Sequence, residues 1–296
     1  MTATTRADNK ERTMTATIYI PERFSAAVDE HLVLNMAAVE DWPLILGIFG
    51  RPGDGKSFQA RTHLTNRGVR ILSINAADLE SDRAGQPGKM VLAAYREASE
   101  RTESGRPTAL LVDDFDTTVG EWAHSTSTVN HQQVLAQLMH LADSPTRVGD
   151  DELRRIPVIV TGNDLTKIYP PLRRPGRLRP FTWIPTEDER YQTVAAILGG
   201  IANDEGLRKI LAACTDAPIS FFADLRTTIL AKRGETSIKD LATKLPDLVK
   251  DPDRHRRALE AQMRSSSLSS TVLTELATTE WGLRQDADIS HLKDEQ

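Results

Sequence analysis

Cysteine is nearly absent: Cys214 is the one thiol in 296 residues. A lone thiol excludes an intrachain disulfide framework and offers no Cys-pair spacing for zinc, and it suits a reducing, cytoplasmic compartment. Aromatic residues make up only 5% of the chain, so a core has to be assembled from Leu, Ile, Val and Ala. No apolar run approaches the ~20 residues of a membrane-spanning helix, and no membrane partner is expected. Basic charge is not in excess, with 37 Lys and Arg against 42 Asp and Glu and a formal net charge of -5. No overall positive field therefore attracts nucleic acid. The seven histidines are scattered and give no His-Glu-x-x-His pair, so no zinc site of that kind is implied. Residues 1–17 are polar and Thr-rich without the apolar centre of a secretory signal, and are expected to be a flexible tail. What remains, 39% hydrophobic and 27% charged, describes a soluble globular chain with room for one large domain and a smaller one.

The sequence is organised around Gly50-Arg51-Pro52-Gly53-Asp54-Gly55-Lys56-Ser57, which fits the phosphate-loop pattern G-x-x-x-x-G-K-[ST]. The apolar run from Pro43 to Phe49 leads in and Phe58-Gln59-Ala60-Arg61 follows, giving strand, glycine loop and helix in the required order. Glycines let backbone N–H groups converge on phosphate oxygens, and a helix N-terminus favours the anion. Gly50, Pro52, Gly53, Asp54, Gly55, Lys56, Ser57 and Phe58 are thus expected to hold ATP. Lys56 would bridge the β- and γ-phosphates and the Ser57 hydroxyl would bind Mg²⁺.

Further aliphatic runs at Val69–Ile74, Ala109–Asp114, Ile156–Val160 and Phe181–Ile184 predict four more strands. They alternate with helical periodicity at Lys89–Glu103 and around Val134, Leu135, Leu138 and Leu141, while Ala26–Val39 predicts a helix ahead of the first strand. Near-continuous aliphatic strands alternating with helices imply an α/β fold, a parallel five-stranded sheet covered on both faces, over residues 18–185. Residues 186–285 read as helix only. Thr186 to Glu189 form a capping box, followed by helical stretches at Leu207–Cys214, Phe221–Ala231 and Ile238–Leu245 and one opened by Pro252. Ser265–Ser270 is expected to be weakly structured, and residues 286–296 to be a mobile acidic tail.

Asp113 and Asp114 end the third strand, where an open parallel sheet places its ligands. The first acid is expected to hold Mg²⁺ and the second to orient or deprotonate the attacking water. Asp114 is a methylene shorter than the glutamate common there, and Asp116 is a spare acid, read as positional and next in line should Asp114 not be the catalytic acid. The alternative is a solvated acidic turn. Asn163, just beyond the fourth strand, offers an amide that can hold water and γ-phosphate without titrating. Arg174 and Arg177 flank Pro175-Gly176 and are natural donors to a neighbouring subunit's γ-phosphate; the alternative is a solvated basic turn.

Together, Gly50–Ser57, Leu110–Asp114, Thr161–Asp164 and Arg174–Arg177 resemble the Walker A, Walker B, sensor 1 and arginine-finger elements of AAA+ ATPases. Gly55-Lys56-Ser57-Phe58-Gln59, Ala84–Lys89, Tyr95-Arg96-Glu97-Ala98, Pro157–Asp164 and Phe221–Arg226 resemble Rubisco activase in particular. The likeness runs from about Ile18 to Ala231, with little expected beyond Gly234. It implies a hexameric ring with ATP between subunits, a helical lid carrying Arg226 as sensor 2, and segments 82–89 and 120–128 facing the central pore, Trp122 among them. It also implies a protein client, Rubisco, whose inhibitory sugar phosphate escapes as ATP is turned over. Asp113 departs from the asparagine of plant-type activases and Pro175 from the activase aspartate. The same motor on a different protein client is the second reading. A DNA-directed loader is a third, opposed by the acidic C-terminal end. A nucleotide-gated scaffold without turnover is a fourth, kept open by Asp114.

Overall fold

Five short aliphatic segments pair side by side, all parallel, in the computed structural model, which describes residues 17–74, 86–116 and 129–294. The strands in chain order are β1 (Ile45–Phe49), β2 (Arg70–Ile74), β3 (Thr108–Val112), a two-strand hairpin of β4 (Arg147–Val148) and β5 (Asp151–Glu152), then β6 (Val158–Gly162) and β7 (Leu178–Thr182). The main sheet runs β2-β3-β6-β1-β7. The expected parallel five-stranded α/β fold is therefore the fold observed.

Side chains alternate across each strand, and the two faces find different helices. Leu110, Val112, Val158 and Val160 pack with Val91 and Tyr95 of α3 (Gln86–Glu103) and with Leu138 and Leu141 of α4 (Val129–Asp143). Leu46, Ile48, Leu111 and Ile159 pack on the other face with Phe24 and Val28 of α1 (Glu22–Met36) and Ala60 and Leu64 of α2 (Lys56–Asn66). Every residue of β1, β3 and β6 is buried, as a strand covered on both sides requires.

A buried polar network fixes the chain as it enters β1. Arg155, 7% exposed, donates to Asn35 Oδ1 (2.8 Å), Val39 O (2.9 Å) and Glu40 O (3.3 Å), and also to Trp42 O. His31 Nε2 donates to Val158 O at 3.0 Å, and Asn35 Nδ2 donates to His31 Nδ1 at 3.2 Å. The bonds of Arg155 and the His31–Val158 bond were not readable from sequence spacing, because those partners lie more than a hundred residues apart.

Element ends differ from expectation for local reasons. The third strand stops at Val112 rather than Asp114, because Asp114 takes a left-handed backbone with φ 50°. The fourth begins at Val158 and runs to Gly162, since Pro157 has no N–H to give and Ile48–Phe49 of β1 pair with Thr161–Gly162. The fifth is Leu178–Thr182 instead of Phe181–Ile184; it is an edge strand, which tolerates Pro180. The first helix starts at Glu22 after Pro21 and ends before Ala38, whose φ is 54°. The N-terminal tail through residue 16 and most of the segments expected to face a pore, 82–85 and 120–128 with Trp122, lie outside the described residues. Gln86–Lys89 open α3.

The chain divides into two compact units, and the second is built from Thr186 onward. It holds α5 (Glu187–Ile197), α6 (Asp204–Ala213), α7 (Ile219–Arg233), α8 (Glu235–Ala242), α9 (Leu245–Lys250), α10 (Pro252–Ser265) and α11 (Ser270–Asp294). The capping box forms in both directions, with Glu189 N donating to Thr186 Oγ1 and Thr186 N to the Glu189 carboxylate. Val194, Leu207, Ile210, Phe222, Leu225, Leu273 and Ala277 form the core. Gln285 does not mark the start of a tail: α11 continues to Asp294. Trp281 stacks edge-on to Phe221 at 5.2 Å and Arg284 pairs with Asp224, which holds this helix onto α7.

Candidate nucleotide site

β3, β6 and β1 are consecutive neighbours and parallel, so their C-terminal ends open on one edge of the sheet. The phosphate loop leaves β1 there. Gly50 N donates to Gly162 O at 3.3 Å. A Cβ on Gly50 would stand 2.1 Å from the Trp183 carbonyl oxygen, so only glycine fits this crossing. Gly53 and Gly55 both have positive φ, 78° and 76°, and Gly55 turns the chain into α2. Trp183 Nε1 donates to Asp54 O at 3.1 Å and pins the loop from behind.

Lys56 opens α2 with its side chain buried against the loop. Its ammonium donates to Gly50 O (2.8 Å), Arg51 O (2.9 Å) and Asn163 Oδ1 (3.0 Å). Burial lowers the pKa of Lys56, opposed by the negative charges of Asp54, Asp116 and Asp114. Lys56 and Asn163, which the sequence assigns separate roles at the nucleotide, are thus in direct contact.

On the other side of the loop, Ser57 Oγ lies 2.9 Å from Thr161 Oγ1, and Thr161 donates to Asp113 Oδ1 at 2.9 Å. Because the Thr161 proton goes to Asp113, Ser57 is the donor to Thr161. The other Asp113 oxygen receives Arg61, which also donates to Ser73 Oγ at 2.7 Å. Thr161 and Arg61 escaped the sequence reading. Arg61 lies four residues after Ser57, one helical turn along the same face, and that spacing was the available signal. Asp114 is exposed, and its N–H reaches Thr161 Oγ1 at 3.4 Å. Its left-handed backbone costs about 1–2 kcal/mol in a non-glycine residue, the kind of strain that persists at functional sites. Phe58 follows in α2 with 58% exposure.

The solvated-turn alternative fails at Asp116. That residue is 2% exposed and its Oδ2 accepts both Asn163 N and Asp164 N at 2.9 Å. Asp164 in turn caps the short 3₁₀ turn Leu165–Lys167 by accepting Thr166 N at 2.8 Å.

The two arginines of the Pro-Gly turn have different situations. Arg177 O accepts Ile45 N at 3.1 Å, so the turn sits at the opposite end of β1 from the phosphate loop, roughly 15 Å away at about 3.3 Å per residue. Arg177 is held inside its own chain, bidentate to Asp143 (2.6 Å and 2.6 Å) and donating to Pro171 O (2.9 Å). Its pKa is raised by the Asp143 bond. Arg174 is exposed; its carbonyl accepts Arg177 N at 3.2 Å, and its guanidinium makes no hydrogen bond or ion pair among the described residues. Arg226 belongs to the second unit, where it is 9% exposed and donates to Ile197 O (2.7 Å) and Gly199 O (3.2 Å). Burial, then the charge of Arg233, lowers its pKa.

Comparison with known proteins matches the part of the chain that holds this site. The family model "ATPase family associated with various cellular activities (AAA)" matches residues 46–186. The Rubisco activase of Anabaena sp. is 38% identical over 227 residues, covering 71% of this chain and 54% of the relative. The chloroplastic activase A of Hordeum vulgare is 35% identical over 242 residues, 77% of this chain and 52% of the relative. The activase of Nostoc sp. is 34% identical over 294 residues, 94% of this chain and 69% of the relative. The last alignment covers too much of the chain to end near Gly234, so the likeness extends well past the point where it was expected to fade. The chain spans about half the length of most of these curated relatives. On this combination of family match, extended identity and site geometry, the chain belongs to the AAA ATPases and, within them, to the Rubisco activase-like proteins.

Proposed function

We propose that the chain is the motor of an ATP-driven remodelling protein that acts on Rubisco and frees it from inhibitory sugar phosphates. The observation that carries the motor is the convergence, at one sheet edge, of Lys56 on Asn163 and of Ser57, Thr161 and Asp113 on one another. The client is supported by 34–38% identity to proteins named Rubisco activase. The strand-end acids and intact Lys56 favour turnover over a passive nucleotide-gated scaffold.

The phosphate loop from Gly50 to Ser57 would hold the triphosphate of ATP through backbone N–H groups and Lys56. Ser57 and Asp113 supply hard oxygen donors that fit Mg²⁺. No group of three or more His, Cys, Asp or Glu among the described residues is arranged to hold a metal alone. That fits an ion shared with phosphate oxygens and water. Bound Mg²⁺ supplies charge neutralisation on the β- and γ-phosphoryl oxygens. Asp114 orients the attacking water and accepts its proton, and Asn163 holds water and γ-phosphate by its amide. Arg174, at the far end of β1, completes the site of the next subunit in a ring, a hexamer by the family's pattern. Arg177 braces that turn through Asp143.

A different protein client is the competing reading, favoured by the chain's matching only about half the length of the activases of Hordeum vulgare and Anabaena sp.. The deciding assay measures ATP turnover with and without Rubisco, including its sugar-phosphate-inhibited form. Stimulated turnover together with recovered carboxylation is expected. Indifference to Rubiscos from several sources contradicts the client while leaving the motor standing.

A further inference from the structure

We propose that Asp116 is a positioning residue of the nucleotide site, whose buried carboxylate sets the strand-end turn that presents Asn163 to Lys56 and the γ-phosphate. The proposal rests on the reading of Asn163 as the amide facing that phosphate. One oxygen of Asp116 accepts two consecutive backbone N–H groups, those of Asn163 and Asp164, each at 2.9 Å. Two bonds to one point fix the peptide planes on both sides of the Asn163 Cα, and with them the direction from which its side chain departs. From there the contacts are continuous: Asn163 Oδ1 accepts Lys56 Nζ at 3.0 Å, and Lys56 reaches the loop carbonyls of Gly50 and Arg51.

Two further observations separate this acid from an ordinary turn cap. Its second oxygen, Oδ1, is buried with no hydrogen-bond partner among the described residues, an arrangement that disfavours folding. Gly162 makes room for it, since a Cβ at that position would lie 2.8 Å from Oδ1. A carboxylate kept under such conditions two residues after Asp114 links the acid-bearing strand end of β3 to the Asn163 end of β6. The two groups that flank the attacking water are thereby held in register with each other.

A double-mutant cycle on the full chain tests this. Asn163→Ala is expected to lower kcat for ATP by about 10²-fold. Asp116→Ala should lower kcat by a similar factor with little change in KM or in affinity for a fluorescent ATP analogue. Adding it to Asn163→Ala should then cost little more. Asp116→Asn keeps an acceptor for both amides, so it should stay within about tenfold of the parent. Its smaller effect should also vanish in the Asn163→Ala background, which carries the cycle even if Asp116→Ala does not fold. Multiplying losses in the double variants, or unchanged kcat in Asp116→Ala, overturns the proposal. So does lost analogue affinity with a lowered Tm in Asp116→Asn, which assigns Asp116 to folding alone. Normal turnover by Asn163→Ala removes the reading of Asn163 on which the proposal stands.

Discussion

A single hydroxyl, that of Thr161, joins the residues proposed to hold the metal: it receives Ser57, donates to Asp113 and meets the Asp114 N–H. Three residues, Ser57 of α2 and Asp113 and Asp114 just beyond β3, meet at it, yet its sequence position says only that a strand ends in Thr-Gly-Asn. Asp116 was similarly opaque, because its partners are backbone amides on a different strand. Lys56, Asp113, Asp114 and Asn163 were legible because phosphate chemistry restricts the residue types that can follow a strand. At the other end of the sheet, His31 carries a testable consequence. It is fully buried, and burial, with Arg179 and Arg155 nearby, lowers its pKa to about 3. The folded state therefore keeps it neutral while an unfolded histidine titrates near 6.5. Between about pH 6.5 and 3 the unfolded chain binds the extra proton, so stability falls as pH drops through that window, by about 2 kcal/mol at pH 5. Chemical denaturation at pH 7 and pH 5 should show this difference shrinking by about that amount in His31→Gln. Equal pH dependence in both proteins contradicts the assignment.

Elements were legible where burial on both faces leaves aliphatic runs, as in β1, β3 and β6, and less so at their ends. β7 begins Leu-Arg-Pro because an edge strand pairs on one side only, and that polar start hid its first residues. The β4–β5 hairpin is too short to leave a periodic pattern. The docking of α11 through Trp281 and Arg284 was not legible because their partners, Phe221 and Asp224, lie some sixty residues upstream. The turn between Arg174 and Arg177 illustrates the same limit: two arginines three residues apart look equivalent until Asp143, at the end of α4, claims one of them. Asp143→Asn should weaken that brace and lower ATP turnover about tenfold, leaving nucleotide affinity unchanged, since a bidentate charged pair becomes a neutral contact. Arg177→Ala should match it. If Arg177→Ala loses turnover as severely as Arg174→Ala while Asp143→Asn loses none, Arg177 acts on phosphate directly and its bond to Asp143 is incidental.

At the scale of the whole molecule, one chain is proposed to carry two incomplete halves of a site. Lys56, Asp113, Asp114 and Asn163 sit at one end of the sheet and Arg174 at the other, separated along β1 by more than an arginine side chain can reach. On that proposal, completion by a neighbour would make oligomerisation a condition of turnover, not a matter of stability alone. An arginine finger contributes about 10³–10⁵ in rate, so Arg174→Ala should bind ATP and hardly hydrolyse it, and Lys56→Ala should do neither well. The most direct measurement mixes these two inactive proteins under conditions that exchange subunits and follows phosphate release. Where an Arg174→Ala subunit supplies Lys56 and a Lys56→Ala neighbour supplies Arg174, one interface is whole, and activity absent from both parents should return. A fully active, strictly monomeric sample of the unmodified chain would contradict the shared site.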